Sequence, residues 1–253
     1  MTDSPVYVYG VVPAPELKDV LVKGVEDADV RGVRHERLAA LISELRSDEL
    51  KAAREVRAHW RVVEEAARTA TVLPARFGTV MESEDAVRRQ LLAPNAERLT
   101  ELFRTVAGRV QLNVKGEYDE AKLMRQVVAD SPAVAAMRDR LRELPDAAGY
   151  YSRIRLGELV AAAVEERRAA DTQLALATLA PLAADSREEQ AAGPRTAFNL
   201  AFLVERKAEP EFTEAVDGLA AVLAERIAIR YVGPLPPYSF AQAELTPRSE
   251  AWA

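Results

Sequence analysis

His35 and His59 are the only imidazoles in this 253-residue chain, and it contains no cysteine. Disulfide scaffolds, thiolate metal sites, iron–sulfur clusters and cysteine nucleophiles are excluded together. His59 falls in a helical stretch with Glu55 one turn before it, a spacing at which a carboxylate could orient a general base. A histidine at the boundary of a solvated helix face is the more ordinary outcome. His35 stands among Arg34, Glu36 and Arg37 with no second ligand at metal spacing, and reads as an exposed strand residue. The carboxylate pairs Glu64-Glu65, Glu165-Glu166 and Glu188-Glu189 are sequence neighbours. On a helix, neighbours diverge by about 100°, so they cannot converge on one substrate atom as an acid–base dyad does. Gly32, Gly78, Gly108, Gly116 and Gly149 are isolated and build neither phosphate cradle, G-x-G-x-x-G or G-x-x-x-x-G-K-[ST]. No G-x-S-x-G elbow is present. No catalytic, cofactor-binding or metal-ligating residue is assigned, and no cofactor is expected.

Two segments remain after that elimination. In TVLPARFGTV, Arg76 is held between Pro74 and Phe77-Gly78 in a turn-like knuckle. It suits an anchor for a carboxylate within the fold, or else a contact for a partner, with Phe77 beside it. In YVGPLPPYSF, Tyr231 to Phe240, three prolines in four positions favour an extended, polyproline-like run with little ordering cost. Tyr238 and Phe240 follow it with large apolar surfaces. Packing back onto the protein's own domains is the favoured role for these two rings, and docking to a partner is the alternative.

Lys and Arg number 34 against 40 Asp and Glu, for a net charge of -6. A dedicated nucleic-acid binder would usually carry a basic excess. The bias to 28 Arg over 6 Lys, beside 46 Ala, is what GC-rich coding produces. No run approaches the roughly 18 apolar residues of a membrane span, and MTDSPVYVYG has no basic region ahead of an apolar core, so no secretory signal is expected. These features suggest a soluble, cytoplasmic chain.

At roughly 150 residues per domain, the length suggests one large domain or two small ones. Residues 4–12 read as a strand with two apolar faces, hence a central one. Shorter strand candidates follow over 25–30 and 31–45. A helix capped by Asp48 is expected to about Ala70, burying a stripe of Ala53, Val56, Trp60, Val63, Ala67 and Ala70. Its solvated face would carry Arg54, Arg57, Arg61, Glu64, Glu65 and Arg68. Ser83 caps a short helix to about Leu92, and Pro94-Asn95 open another bearing Leu99, Leu102, Phe103 and Val106.

From Gly108 the alternation of Val110, Leu112 and Val114 predicts a half-buried strand. Asp119 caps a helix to Val128. Ser131-Pro132 starts one bearing Val134, Met137, Leu141 and Leu144 and ending at Pro145. The longest helix is expected over about 152–184, with Pro181 cutting its last turn. Residues 196–205 form an apolar strand, Phe212, Val216, Leu219, Leu223 and Ile227 line a helix, and 228–232 form a last strand. Residues 185–195 and 205–211 read as polar loops. The fold class is α+β, divided as an N-terminal α+β domain over 1–107, a C-terminal ferredoxin-like α+β domain over 108–235, and a Pro-rich C-terminal tail over 236–253.

The segments VYVYGVV, TVLPARFGTV, GRVQLNVKGEYD, FNLAFLVE and YVGPLPPYSF occur in one order, and together they resemble the gas vesicle protein F/L family (GvpF/GvpL) over about residues 6–240. The strand opening the second half departs from the family's usual pattern at Gln111-Leu112-Asn113. The resemblance implies two α+β domains, the second a ferredoxin-like variant, with a tail packed near their junction. It also implies a non-enzymatic accessory or minor structural protein of gas vesicle formation. Its partners would be the small, very hydrophobic shell subunit (GvpA) and other accessory vesicle proteins, with no nucleic acid and no membrane span, and its location the cytoplasm and the gas vesicle. The alternative from another class is a small-molecule-binding regulatory or catalytic α+β module, because a scaffold does not fix a function.

Overall fold

The computed structural model describes residues 4–46, 52–143, 149–190 and 193–241. They fall into two compact units. One takes the chain to Gln111 together with the segment from Gly233, and the other runs from Leu112 to Val232.

In the first unit, β1 (Val6–Pro13), β2 (Arg31–His35) and β3 (Leu38–Glu44) lie in the order β2-β3-β1. Val6 to Val12 are buried without a break. As two apolar faces require, β1 is central. It pairs with β3 on one side, and on the other with two short strands, β4 (Leu73–Pro74) and β5 (Val80–Met81). Between β3 and β4 comes helix α1 (Ala52–Ala67), and its expected Asp48 cap lies outside the described residues. The 25–30 stretch is not a strand. Glu26 and Asp27 take φ of 56° and 55° in a 3-10 turn, a left-handed conformation no strand accommodates. Its amides find partners elsewhere, Val25 N–H on the Tyr9 hydroxyl (2.7 Å) and Glu26 N–H on the Glu55 carboxylate (2.9 Å).

The knuckle forms as its residues suggest. Gly78 takes φ 86°, the region glycine enters without steric cost. Thr79 donates to the Arg76 carbonyl from both its amide (3.1 Å) and its hydroxyl (2.7 Å). The Ser83 hydroxyl accepts from Ala86 N–H at 3.1 Å and caps α2 (Glu84–Ala86), which runs on as a π-helical turn over Val87–Leu92. Helix α3 (Ala96–Val106) then buries Leu99, Phe103 and Val106. The close approach of β4 to β1 depends on Gly10, where a Cβ would stand 2.6 Å from the Leu73 carbonyl oxygen and 3.2 Å from Pro74 Cα. Neither backbone atom can swing aside. Gly10→Ala is therefore expected to lower the unfolding free energy by about 1–3 kcal/mol, measured by urea denaturation followed by circular dichroism.

Strand β6 (Arg109–Tyr118) passes from the first unit into the second at Leu112. Three helices follow, α4 (Glu120–Asp130), α5 (Pro132–Glu143) and α6 (Tyr150–Leu179). Asp119 and Ser131 supply the caps, their side chains accepting from Lys122 N–H (3.0 Å) and Val134 N–H (3.4 Å). The expected end of α5 at Leu144-Pro145 lies outside the described residues. Pro181 sits in a 3-10 turn directly after α6, since its ring offers no N–H to continue the ladder. Then come β7 (Asp185–Glu188), β8 (Thr196–Glu205), α7 (Glu209–Leu223) and β9 (Ile227–Leu235). The sheet order is β7-β8-β6-β9. That is the ferredoxin-like βαββαβ arrangement, varied by three helices in the first crossover where one suffices.

Two assignments differ from expectation here. Asp185–Glu188, expected as loop, pairs antiparallel with Leu200–Leu203 of β8. It is a short, charged edge, the form that discourages further strand pairing. Ile227, expected on the helix, opens β9 instead. Strand β8 is buried at every position but Asn199 and Glu205, which makes it interior sheet.

The last described element, α8 (Tyr238–Ala241), belongs to the first unit. The expected polyproline-like end is thus not one extended run: residues to Leu235 complete β9, and Tyr238 starts a single helical turn.

Candidate functional site

Tyr7 and Tyr9 project from the same face of β1, two residues apart, with ring centroids 4.9 Å apart. Across from them α1 turns inward a face different from the one expected. Glu55, Ala58, His59, Val62, Val63 and Ala66 are buried, whereas Ala53 and Trp60 are exposed. The apolar periodicity placed the stripe about one residue out of phase, because two polar side chains lie in the buried face with partners waiting for them.

His59 is 1% exposed, and its Nδ1 lies 3.0 Å from the Tyr7 hydroxyl. That hydroxyl also accepts from Gly78 N–H at 3.0 Å. Burial holds the imidazole neutral and pushes its pKa down to about 4, outweighing the pull of the Ala75 backbone carbonyl toward the charged form. Burial likewise raises the Tyr7 and Tyr9 phenols above their ordinary range. Tyr9 shares a hydrogen bond with Ser43 at 2.8 Å. Glu55 turns to Glu26 N–H, so the carboxylate offered by spacing to orient His59 is engaged elsewhere. A base poised near pH 7 and open to substrate needs the opposite conditions. Chemically, this cluster is suited to pinning α1, β1 and the knuckle together.

The four residues singled out by sequence separate into two groups. Phe77 is half-buried, its ring 6.2 Å from Tyr7 and 6.0 Å from His59. Tyr238 is buried against the same cluster, 4.5 Å from Trp60 and 6.5 Å from His59 between ring centroids. Phe240 is 4% exposed. Gln111 and Ser239 fasten the turn between these rings. The Gln111 amide donates to the Ser239 hydroxyl (2.9 Å), and Ser239 N–H donates to the Gln111 carbonyl (2.8 Å). Arg76, by contrast, is exposed and meets no carboxylate among the described residues. Among the described residues no internal anchor forms on it.

Sequence reasoning missed a second polar cluster, in the other unit. Asp171 of α6 is 2% exposed. Its carboxylate accepts from the Tyr118 hydroxyl (2.8 Å) and from Arg226 Nε (3.2 Å), with Arg226 Nη2 on its other oxygen. The hydrogen bond to Asp171 raises the Arg226 pKa, and burial raises that of Tyr118. Thr172, next in the chain, donates to the Ala197 carbonyl at 3.3 Å. The available signal was phase, for Asp171 falls in step with Val164, Ala175 and Leu179 on one helix face. Among the described residues no group of three or more His, Asp or Glu side chains could hold a metal ion.

Comparison with known proteins agrees with this architecture. The family model described as "Gas vesicle synthesis protein GvpL/GvpF" matches residues 5–242. The gas vesicle protein F of Streptomyces sp. (strain CB03234) is 35% identical over 243 residues, covering 93% of this chain and 99% of the relative. The crystal structure of GvpF from Anabaena sp. PCC7120 superposes with a TM-score of 0.82 at 28% identity, over 94% of this chain and 98% of that one. GvpF from Microcystis aeruginosa gives 0.79 at 26%, over 94% and 99%. With its sequence matched nearly end to end and its two-sheet fold reproduced, the chain belongs to the GvpL/GvpF family of gas vesicle proteins.

Proposed function

We propose that this chain is an accessory or minor structural protein of gas vesicle formation. In this reading it binds the hydrophobic shell subunit (GvpA) and companion vesicle proteins in the cytoplasm during assembly, and catalyses no reaction. The family match across residues 5–242 carries the proposal. A subunit with a large apolar face and open strand edges aggregates before it assembles, and a partner that covers the face transiently keeps it competent. Supporting this, a cleft of about 230 Å³ in the first unit is walled by Val12, Leu17, Val20, Leu41 and Ala70. Leu21 stands at its rim with 88% of its surface exposed. No helix among the described residues is long and apolar enough to cross a membrane.

Co-expression of the shell subunit with and without this chain tests the proposal, with soluble complex as the measurement. The wild-type chain is expected to retain the subunit in solution. Arg76→Ala removes an exposed side chain, so its stability should stay within about 0.5 kcal/mol of the parent, while the recovered complex falls. No complex with the subunit or with any companion vesicle protein would sink the reading.

A further inference from the structure

Most arginines on the described helices have a carboxylate beside them. Arg88 and Arg89 pair with Glu84 and Asp85, Arg104 with Glu101, Arg155 with Glu158, Arg167 with Asp130 and Arg168 with Glu165. On α1, Arg54 keeps to that pattern through Asp27, but the two arginines that follow it do not. Arg57 and Arg61 lie one turn apart on one face, both exposed and neither in an ion pair among the described residues. Like charges at this spacing oppose helix formation, so the arrangement costs the free protein stability. Between them stands Trp60, 37% exposed, its ring held against Tyr238 at 4.5 Å. An indole fixed in place and flanked by two unpaired guanidinium groups has the composition of a binding hot spot, where aromatic and Arg side chains dominate. The chain as a whole carries a net charge of -6, which makes a local cationic face a selective one. One acid shares the face: Glu64, one turn beyond Trp60, is exposed and unpaired among the described residues.

We propose that the Arg57–Trp60–Arg61 face of α1 docks an acidic segment of a partner polypeptide. Carboxylates of the segment engage the two guanidinium forks, and an apolar side chain covers the indole. Glu64 sets the polarity of the face by repelling acids at its C-terminal end. The inference rests on the reading that this chain works by binding another polypeptide, and it names the chemistry of that partner.

Trp60 reports its own occupancy. The sequence has two tryptophans, so Trp252→Phe in the full chain leaves Trp60 as the only indole. Titration with poly-L-glutamate is expected to change Trp60 emission saturably, with binding that weakens as salt rises. The Arg57→Gln/Arg61→Gln double variant should bind about tenfold more weakly, two exposed charge contacts being worth that much. Glu64→Gln should bind more tightly than the parent. These exposed substitutions should leave the fold intact, the double variant melting no lower than the parent because it relieves the like-charge pair. An unchanged emission, binding undiminished in the double variant, or tighter binding of polyuridylate than of polyglutamate overturns the proposal. Co-expression separates it from the functional reading. Full recovery of shell-subunit complex by the double variant removes this face and leaves that reading intact. If no vesicle protein binds the parent chain, that reading falls, while the polyglutamate titration still decides the face.

Discussion

Asp171→Ala is expected to lower the unfolding free energy by about 3–5 kcal/mol, the cost of leaving one member of a buried ion pair without its partner. The side chains of Arg226 and Asp171 are only 15% and 3% exposed, so water cannot readily replace the lost carboxylate. Asp171→Asn preserves shape but removes the charge, and should recover only part of the loss. Tyr118→Phe removes one hydrogen bond from the same carboxylate and should cost about 1–2 kcal/mol. Replacing both charged partners, as in Asp171→Leu with Arg226→Met, should be much milder than either single change, because no orphaned charge remains. Urea denaturation followed by far-ultraviolet circular dichroism ranks the four variants. Equal losses for the single and double variants would show that the pair contributes nothing through its charge.

The second large effect is acid sensitivity. His59 titrates at about 4 in the folded chain against an ordinary value of 6.5. Folding holds the ring neutral while the unfolded chain accepts the proton. The stability contributed by the neutral ring is therefore complete above about pH 6.5. It is lost as the pH falls toward 4, at roughly 1.4 kcal/mol per pH unit, and the loss levels off below that. Over that window it amounts to on the order of 3 kcal/mol. Replacement by Gln, which cannot titrate and can still share a hydrogen bond with the Tyr7 hydroxyl, should flatten the stability profile between pH 6.5 and 4. Chemical denaturation at half-unit pH intervals makes the comparison. A His59→Gln profile parallel to the parent's would mean the acid limb comes from elsewhere.

Much of the fold was legible because local chemistry and tertiary demand agree there. The two apolar faces of β1 required a central position, and Ser83, Asp119 and Ser131 each mark a helix start that forms. Pro181 stops α6 where its missing N–H says it must. The failures share a cause in long-range partners that no window of sequence contains. His59 read as a boundary residue and Glu55 as its possible orienter because the groups they meet sit on Tyr7 and Glu26. Asp171 drew no notice because Tyr118 and Arg226, which surround it, lie 53 and 55 residues away along the chain. The DSRE stretch lacks the alternation of a half-buried strand because one neighbour, β8, supplies its pairing and solvent takes the rest. Among the candidate site residues, the bulk of Tyr238 and Phe240 pointed to the interior, where they lie. Arg76 could not be placed that way, since a charged side chain in a turn suits an internal acid and open solvent equally well.

The first unit draws on both ends of the sequence, with Tyr238 closing a ring cluster whose other members lie before residue 78. A nascent chain leaving the ribosome therefore has β1, α1 and the knuckle in hand long before the residue that caps them. The intervening unit must be translated in between. Throughout that interval Trp60 and His59 await a lid encoded on the far side of the second unit, and a message cut short within that unit leaves a body with its rings uncovered.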